Sequence, residues 1–435
     1  MTKLRSGLCW TLWMSLLCVF ASMGSVSKSH AFEGTPLLTT QQYTVTRQGR
    51  FLLISLHQPF RVLSTSAVNG GVTEHVRYLA NHQSMEGKGH DARLASRTGS
   101  NRREYHAQVA NELQVPAGQL ALMGTAASMD RVAMVRESFR SLTVTALVTA
   151  GVANNARRAG DPASWYQSVE GDSVVNRKVV TEAAGNVREE GLGSGPADDE
   201  GTINTVVLVN QPLTPASLTR LMMVATEAKT SVLQDLSIAS RYSVELSTGT
   251  GTDQLVLAAP LATTEPELPS ASGHLKLGEL AGKAVRAAVA EALALQNGLT
   301  VRVSPSVLQI LGRYGFDLES LNAALDKYLG QHPRDLASSN LPTLMRDQGL
   351  IAAAQAYAVL LDSVRQGRLS AALAPETLRN QAAMAAVAVS GRPEQWPYYR
   401  QRLALRPPSE PHTYVPAIDL FAHAIALGWE DKWAR

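Results

Sequence analysis

The chain has 435 residues, of which 45% are hydrophobic and 18% charged, and its 40 basic and 37 acidic residues give a formal net charge of +3. Domains usually have about 100–200 residues, so this length is enough for two or three domains with sizeable cores. The near balance of charge, without long charge runs, gives no support to a nucleic-acid partner, and we expect none.

Residues 1–31 are predicted to form an export signal. Lys3 and Arg5 supply a charged start, residues 8–20 are largely apolar, and residues 29–31 offer a small-x-small cleavage site. A membrane anchor would need about 18–20 apolar residues in a row, and small polar residues end this run earlier. We therefore expect a protein exported across the inner membrane to the periplasm, without a stable membrane span after cleavage.

Cleavage of this signal would remove both cysteines of the chain, Cys9 and Cys18. A mature protein without thiols has no thiol nucleophile, no disulfide and no cysteine-ligated metal. Lipoprotein attachment is disfavoured because Leu17 precedes Cys18, where a small residue is expected. Since the signal also holds three basic and no acidic residues, the mature chain has 37 basic and 37 acidic residues.

Short alternating or apolar runs predict strands in the first part of the mature chain. They lie at 43–46, 51–54, 61–63, 120–123, 132–135 and 142–148. The runs at 120–123 and 132–135 are predicted to pair with each other around the segment 124–128. Gly70 and Gly71 mark a tight turn with close backbone approach.

Polar stretches separate these runs. His75, His82 and His90 have no metal-ligand spacing, so we predict surface positions for them and no metal site. The chain is irregular from 157 to 200, and residues 191–200 have the composition of a mobile loop. Two alternatives remain open for that loop, a lid over a site and a disordered surface insertion.

The middle of the chain alternates strands and helices. Residues 203–209 and 255–257 are apolar strand runs, and the helix between them starts at 214–215, where a capping threonine precedes a proline. Its apolar stripe at helical spacing consists of Leu218, Leu221, Met222, Ala225, Ala228, Val232 and Leu236. A second helix is predicted at 278–297, with Gly298 at the position after the helix end where glycine is favoured.

Beyond Thr300 the composition changes to Ala/Leu-rich runs with helical period, without strand-like segments. Three prolines between 407 and 411 separate these runs from a last helix at 415–427. We therefore predict an α+β fold with a mixed β-sheet and flanking helices at 40–299, followed by an all-α C-terminal extension at 300–435.

The chain lacks the motifs of several common catalytic sites. It contains no G-x-S-x-G, no H-E-x-x-H, no Walker loop and no G-x-G-x-x-G that opens a helix. Residues 248–253, Thr-Gly-Thr-Gly-Thr-Asp, can present backbone N–H and hydroxyl groups to an anion or to a developing oxyanion. The same composition also suits a glycine-rich turn between two strands.

Lys229 stands out because it lies within the apolar stripe of the predicted helix. At about 100° per residue it is about 40° from Ala225, whereas Glu227 lies on the opposite face. A lysine in a core stripe extends its ammonium to solvent, pairs with a carboxylate such as Asp253, or loses its proton. The sequence leaves these alternatives open.

Several segments, in this order, resemble motifs of the adenosylcobinamide amidohydrolase family (CbiZ). They are Ser64-Thr-Ser-Ala-Val-Asn-Gly-Gly71, Thr149-Ala-Gly-Val-Ala-Asn154, Gly201-Thr-Ile-Asn204, Ala225-Thr-Glu-Ala-Lys229, Thr248-Gly-Thr-Gly-Thr-Asp253 and Ser272-Gly-His274 with Leu277-Gly278. The resemblance covers residues 43–298. It implies corrinoid salvage, in which the amide joining aminopropanol to the corrin ring is hydrolysed and adenosylcobyric acid is left.

Amide hydrolysis needs an activated nucleophile, a stabilised oxyanion and a proton for the leaving amine. Our hypothesis assigns either Asp253 or Glu227 as the base, Lys229 as the electrostatic stabiliser or proton donor, and the loop at 250–252 as the oxyanion donor. The nucleophile is a base-activated water or a Ser/Thr hydroxyl. The predicted catalytic residues are Glu227, Lys229, Thr252, Asp253 and His274, and the predicted substrate-binding residues are Asn69, Gly70, Asn154, Thr202, Asn204 and Thr250.

The assignment of His274 keeps two alternatives. His274 is either a general acid or a histidine that only flanks a helix, whereas the asparagines suit the peripheral amides of a corrin. No cofactor is expected. The alternative functions are a non-catalytic periplasmic corrinoid-binding protein and an amidohydrolase for another amide. The C-terminal helices are expected to cover the corrinoid pocket, form a homo-oligomer or bind an envelope partner.

Overall fold

The computed structural model describes residues 34–84, 102–163, 165–168, 171–174, 201–300, 306–404 and 413–433. The predicted export signal, His90, the loop at 191–200 and the three prolines between 407 and 411 lie outside the described residues. Within the described part of the chain, no helix combines the length and the apolar character needed to cross a membrane.

The strands are β1 (Thr35–Thr39), β2 (Tyr43–Gln48), β3 (Phe51–Leu56), β4 (Phe60–Ser64), β5 (Gly71–Thr73), β6 (Tyr78–Gln83), β7 (Leu120–Thr125), β8 (Ala133–Phe139), β9 (Leu142–Ala150), β10 (Ala156–Arg157), β11 (Trp165–Ser168), β12 (Gly171–Val174), β13 (Ile203–Val209), β14 (Gly249–Thr250) and β15 (Gln254–Pro260). The helices are α1 (Arg102–Glu112), α2 (Pro215–Asp235), α3 (Lys276–Asn297), α4 (Val307–Leu311), α5 (Leu318–Tyr328), α6 (Gln331–Leu344), α7 (Gln348–Arg365), α8 (Ala374–Ser390), α9 (Trp396–Arg402) and α10 (Val415–Trp433).

Two mixed sheets pack against each other. One has five strands in the order β1-β2-β3-β6-β7, and the other has six in the order β5-β4-β15-β13-β9-β8. The pairs β6–β7 and β13–β15 are parallel, and the other neighbours in these two sheets are antiparallel. The predicted α+β class with a mixed sheet and flanking helices is confirmed.

Strand β13 shows how the layers are stacked, because its alternate side chains enter two different cores. Val207 and Val209 pack in a cluster with side chains of α2 and α3, whereas Val206 and Leu208 pack in a cluster with the five-stranded sheet. All seven residues of β13 are buried. The six-stranded sheet therefore lies between the helix pair and the five-stranded sheet.

The two helices on the six-stranded sheet follow their predicted patterns. The Thr214 hydroxyl caps α2 by accepting from the Ser217 N–H (3.1 Å), and Pro215 occupies the first helical turn. The predicted apolar stripe of α2 packs into the core. Helix α3 ends at Gly298, whose φ of 68° is the left-handed conformation that glycine adopts readily.

The C-terminal region is helical, as predicted. Helices α4 to α10 bury their own cluster of side chains, which runs from Val307 to Trp429. Helices α8 and α10 cross closely at Gly428, where a Cβ atom would stand 2.4 Å from the Ala386 carbonyl oxygen. The boundary between this extension and the preceding domain, placed at residue 300 from the sequence, stays a prediction.

The structure corrects two predictions about the first half of the chain. Strands β7 and β8 do not pair with each other. Strand β7 is the outermost strand of the five-stranded sheet, and β8 is the outermost strand of the six-stranded sheet. His82 is not at the surface: it is 1% exposed on β6, with Nδ1 2.6 Å from the Tyr105 hydroxyl. Burial lowers its pKa to about 3, so the ring is neutral.

Candidate active site at the glycine-rich loop

Three of the segments singled out in the sequence meet where strands of the six-stranded sheet begin or end. We call this end of the strands the sheet edge. The parallel strands β13 and β15 both start at this edge, and the antiparallel strand β9 ends there. Just beyond β9, the Gly151 N–H donates to the Thr202 carbonyl (3.0 Å). The glycine-rich loop joins the same edge because β14 pairs with β10, with Thr250 opposite Ala156.

Asp253 is the centre of the hydrogen bonding at this edge. Its Oδ1 accepts from the Ile203 N–H (2.9 Å) and from the Thr250 hydroxyl. Its Oδ2 accepts from the Thr250 N–H (3.0 Å) and forms an ion pair with Lys229. A carboxylate has about four lone-pair directions, so this side chain is fully occupied. The contacts favour a positioning role for Asp253 over the predicted role of base.

The pairing of Lys229 with Asp253, one of the alternatives from the sequence, is what the structure shows. The two side chains are only 14% and 16% exposed. An ammonium group has three N–H donors. One of them goes to Asp253, and the other two have no hydrogen-bond partner among the described residues. The arrangement can therefore offer a fixed positive charge with spare donors to an oxygen that carries negative charge.

A second group of polar side chains lies beside this pair. The Thr202 and Thr252 hydroxyls are 2.6 Å apart, and the Thr252 hydroxyl also lies 3.1 Å from the Gly201 carbonyl, to which it donates. The Asn155 side-chain amide donates to Thr252 Oγ1 (3.3 Å) and to the same carbonyl (3.1 Å). The Tyr242 hydroxyl donates to Asn155 Oδ1 (3.3 Å). This network adjoins the ion pair along the chain, since Thr252 precedes Asp253 and Thr202 precedes Ile203, whose N–H donates to Asp253.

The structure thus brings together Thr202, Lys229, Thr250, Thr252 and Asp253. It also identifies two participants that the sequence did not single out, Asn155 and Tyr242. The prediction chose Asn154, which is exposed, whereas the neighbouring Asn155 is 1% exposed and carries the hydrogen bonds. The tandem pair of asparagines indicated a polar strand end, but the sequence does not tell which of the two points inward.

Glu227, the other predicted base, is exposed on α2. It has no hydrogen bond or ion pair with the described part of the chain. The helical period places it on the face opposite Lys229, as expected, and this orientation turns its carboxylate away from the sheet edge. The structure does not bring Glu227 to the candidate site.

His274 is also remote from this edge. It is exposed, two residues before α3 begins at Lys276. The other end of α3 is at the candidate site, where Asn297 Oδ1 accepts from the Val152 N–H (3.3 Å). A helix of 22 residues is about 33 Å long. This position favours the second alternative for His274, a histidine that only flanks a helix, at the end of α3 away from the candidate site.

Asn69 and Gly70 bind the protein's own backbone. The Asn69 side-chain amide donates to the carbonyls of Ala117 (2.9 Å) and Leu120 (2.8 Å), which fixes its loop to β7. A Cβ on Gly70 would stand 2.1 Å from the Ser66 carbonyl oxygen, so the predicted close backbone approach is confirmed. These contacts indicate a structural role rather than the predicted substrate binding.

Asn204 lies between the two sheets and is 1% exposed. Its amide donates to Asn81 Oδ1 (2.8 Å) and to the Gly124 carbonyl (2.9 Å), and Asn81 donates to the Thr149 hydroxyl (2.8 Å). These contacts favour a role as a polar link between the sheets over the predicted role in substrate binding. Its Oδ1, like Oε1 of the adjacent Gln254, has no hydrogen-bond partner among the described residues.

Gly249 offers a test of the geometry. A Cβ at this position would stand 2.5 Å from Asp253 Oδ2 and 2.8 Å from Lys229 Nζ. We expect Gly249→Ala to separate the ion pair and to lower the free energy of unfolding by about 1–3 kcal/mol, measured by urea denaturation. The control is Gly118→Ala, since a Cβ on Gly118 has no heavy atom within 4 Å. Equal stability of the two variants would contradict this geometry.

Comparisons with known proteins match the part of the chain that contains this site. A family model described as adenosylcobinamide amidohydrolase (CbiZ) matches residues 36–301. The chain is 31% identical to uncharacterized protein MJ1613 of Methanocaldococcus jannaschii over 265 residues, which are 59% of this chain and 91% of that protein.

A solved structure, that of the PH0078 protein from Pyrococcus horikoshii OT3, matches over 60% of this chain and 84% of its own at 11% identity. Its TM-score of 0.28 is too low to indicate a common fold or function. The family match includes all the segments that meet at the sheet edge. The chain belongs to the adenosylcobinamide amidohydrolase family.

Proposed function

We propose that this protein is a periplasmic enzyme that hydrolyses the amide joining aminopropanol to the corrin ring of adenosylcobinamide, with adenosylcobyric acid as the second product. Family membership indicates an amidohydrolase, and the observation that supports this substrate site most is the Lys229–Asp253 pair with its spare ammonium donors. The hydroxyls of Thr202 and Thr252 lie beside this pair.

In the proposed reaction, water adds to the amide carbon and the C–N bond breaks. The tetrahedral intermediate carries a negative oxygen, which the ammonium of Lys229 stabilises in a site that is largely shielded from solvent. The proton that the attacking water loses is balanced by the proton that the leaving amine gains. The Thr202 hydroxyl, whose hydrogen goes to Thr252, can hold the water by accepting a hydrogen bond from it.

A second candidate function is corrinoid binding without turnover. One observation favours it: Asp253 has no vacant lone-pair direction and Glu227 is exposed, so neither predicted carboxylate base is poised to activate water. Hydrolysis of a different amide is a variant of the first proposal. The two differ only in the substrate that the enzyme accepts.

The experiment that tests the proposal is mass spectrometry of adenosylcobinamide after incubation with the protein purified from the periplasm. We expect loss of the aminopropanol group with gain of one water, and an intact protein mass that corresponds to residues 32–435. An intact corrinoid that co-purifies with the protein or changes its visible spectrum would support the binding protein instead. The absence of both turnover and binding would contradict both candidate functions.

A further inference from the structure

The segment at 240–246, which we call the bridging segment, lies between α2 and the glycine-rich loop. It folds back on itself: the Ser240 N–H donates to the Glu245 carbonyl (2.8 Å), and Ala239 forms an antiparallel bridge with Leu246. The turn of this segment contacts two parts of the protein that are distant in sequence. One is the candidate site, and the other is the C-terminal helical extension.

On the side of the site, the bridging segment contacts the residues that pair with the glycine-rich loop. The Arg241 N–H donates to the Ala156 carbonyl (2.9 Å), and Ala156 pairs with Thr250 across β10 and β14. The Tyr242 hydroxyl donates to Asn155, which holds Thr252. Movement of the bridging segment would therefore be transmitted to the hydroxyl groups of the site.

On the other side, the bridging segment is held by the helical extension. Val244 packs against the core of that extension, and its carbonyl accepts from Arg313 Nη1 (2.7 Å). Arg313 is 7% exposed and forms two hydrogen bonds with Asp362 on α7, of 3.1 and 2.7 Å. Burial raises the pKa of Asp362, but the hydrogen bonds and the positive charge of Arg313 lower it by more. The pKa of Asp362 is therefore below its ordinary value.

Glu245 joins the two sides through one carboxylate. Its Oε1 binds Arg365 Nη1 on α7 (2.7 Å), and its Oε2 binds Arg158 Nε. The backbone N–H of Arg158 donates to Asp161 Oδ2 (2.7 Å), which also accepts from the Ser240 hydroxyl (2.6 Å). Glu245 is thus the single acid that links the extension to the strand beside the glycine-rich loop, among the residues that the structure describes.

We infer that Glu245 is a positioning residue, through which the C-terminal extension holds the glycine-rich loop in its active geometry. This inference rests on the proposed function. The family match ends at residue 301, so Arg365 lies outside the matched region, whereas Glu245 lies within it. Ion pairs with partly exposed partners contribute little to global stability, so the loss of Glu245 should affect the loop more than the fold.

The test compares Glu245→Gln with the wild type, as the full exported chain. We expect kcat/KM for adenosylcobinamide to fall about tenfold or more, because displacement of catalytic groups by about 1 Å is costly. The thermal midpoint should stay close to that of the wild type. The amide hydrogens of Thr248 and Thr250 should exchange faster. Arg365→Met should show the same changes and Arg365→Lys should restore activity, since lysine keeps the charge.

The matched control is Glu376→Gln, which removes an ion pair of 2.7 Å with Arg400 inside the extension and away from the bridging segment. This variant should match the wild type in turnover and in exchange. If the wild type turns over but Glu245→Gln behaves like the control, the inference is overturned and the proposed function stands. If the wild type has no turnover, the proposed function fails, and unchanged exchange in Glu245→Gln would then overturn the inference separately.

Discussion

Replacement of Lys229 by Met is expected to abolish amide hydrolysis while the protein remains folded. Methionine keeps the apolar stem that Lys229 contributes to the stripe of α2, but it removes the positive charge and the spare donors. Loss of one preorganised group that stabilises an oxyanion typically lowers kcat about 100-fold or more. Asp253 would still accept from the Ile203 N–H and from both donors of Thr250, so its carboxylate would not be left without partners.

Single-turnover mass spectrometry of adenosylcobinamide measures this effect, and circular dichroism checks the fold. The matched control is Lys283→Met, which removes an exposed lysine paired with Glu279 on α3. The control should keep wild-type turnover. Full activity of Lys229→Met would exclude Lys229 from the reaction. Tight corrinoid binding by Lys229→Met, without turnover, would show that the charge acts on the reaction and not on recognition of the corrin.

The features that the sequence predicted well depend on near neighbours along the chain. Helix α2 follows from Thr214–Pro215 and from one apolar stripe, and α3 from its stripe and Gly298. The position of Lys229 within that stripe allows three arrangements: an ammonium that reaches solvent, an ion pair with a carboxylate such as Asp253, or a neutral amine. Local periodicity therefore singled out Lys229, and the structure selected the pairing with Asp253 from the three alternatives.

The features that were predicted wrongly depend on contacts between distant segments. The pairing of β7 with β8 was wrong because each strand found its partner in a different sheet, which a short intervening turn does not reveal. The burial of His82 follows from its contact with Tyr105, across a stretch of chain that the structure describes only in part.

The segments that resemble motifs of the family contain structural residues as well as the residues of the candidate site. Asn69, Gly70 and Asn204 hold the backbone or the two sheets together, and a Cβ on Gly278 would stand 2.3 Å from the Ser272 carbonyl oxygen. A motif therefore marks positions where substitution is costly, for reasons of packing or of chemistry. Contacts in the structure are needed to separate the two reasons.

Asp253→Asn is expected to lower stability and activity together, because four donors point at this one side chain. Asparagine keeps one oxygen, but its NH₂ group would face donors, and Lys229 would lose its counter-charge. Removal of one partner of a buried ion pair costs about 3–5 kcal/mol of unfolding free energy, which urea denaturation measures. The control is Asp235→Asn, since Asp235 pairs with Arg286 at the surface, where both side chains are about half exposed.

A double variant separates positioning by Asp253 from base catalysis. If Asp253 positions Lys229 and the glycine-rich loop, Lys229→Met with Asp253→Asn should be more stable than Asp253→Asn alone, because no unpaired ammonium remains. Turnover should stay at the level of Lys229→Met, since both changes act through the same charge. A base would instead act independently, and the double variant would then lose turnover well beyond either single variant. That additive loss would assign Asp253 the role of base despite its four hydrogen bonds.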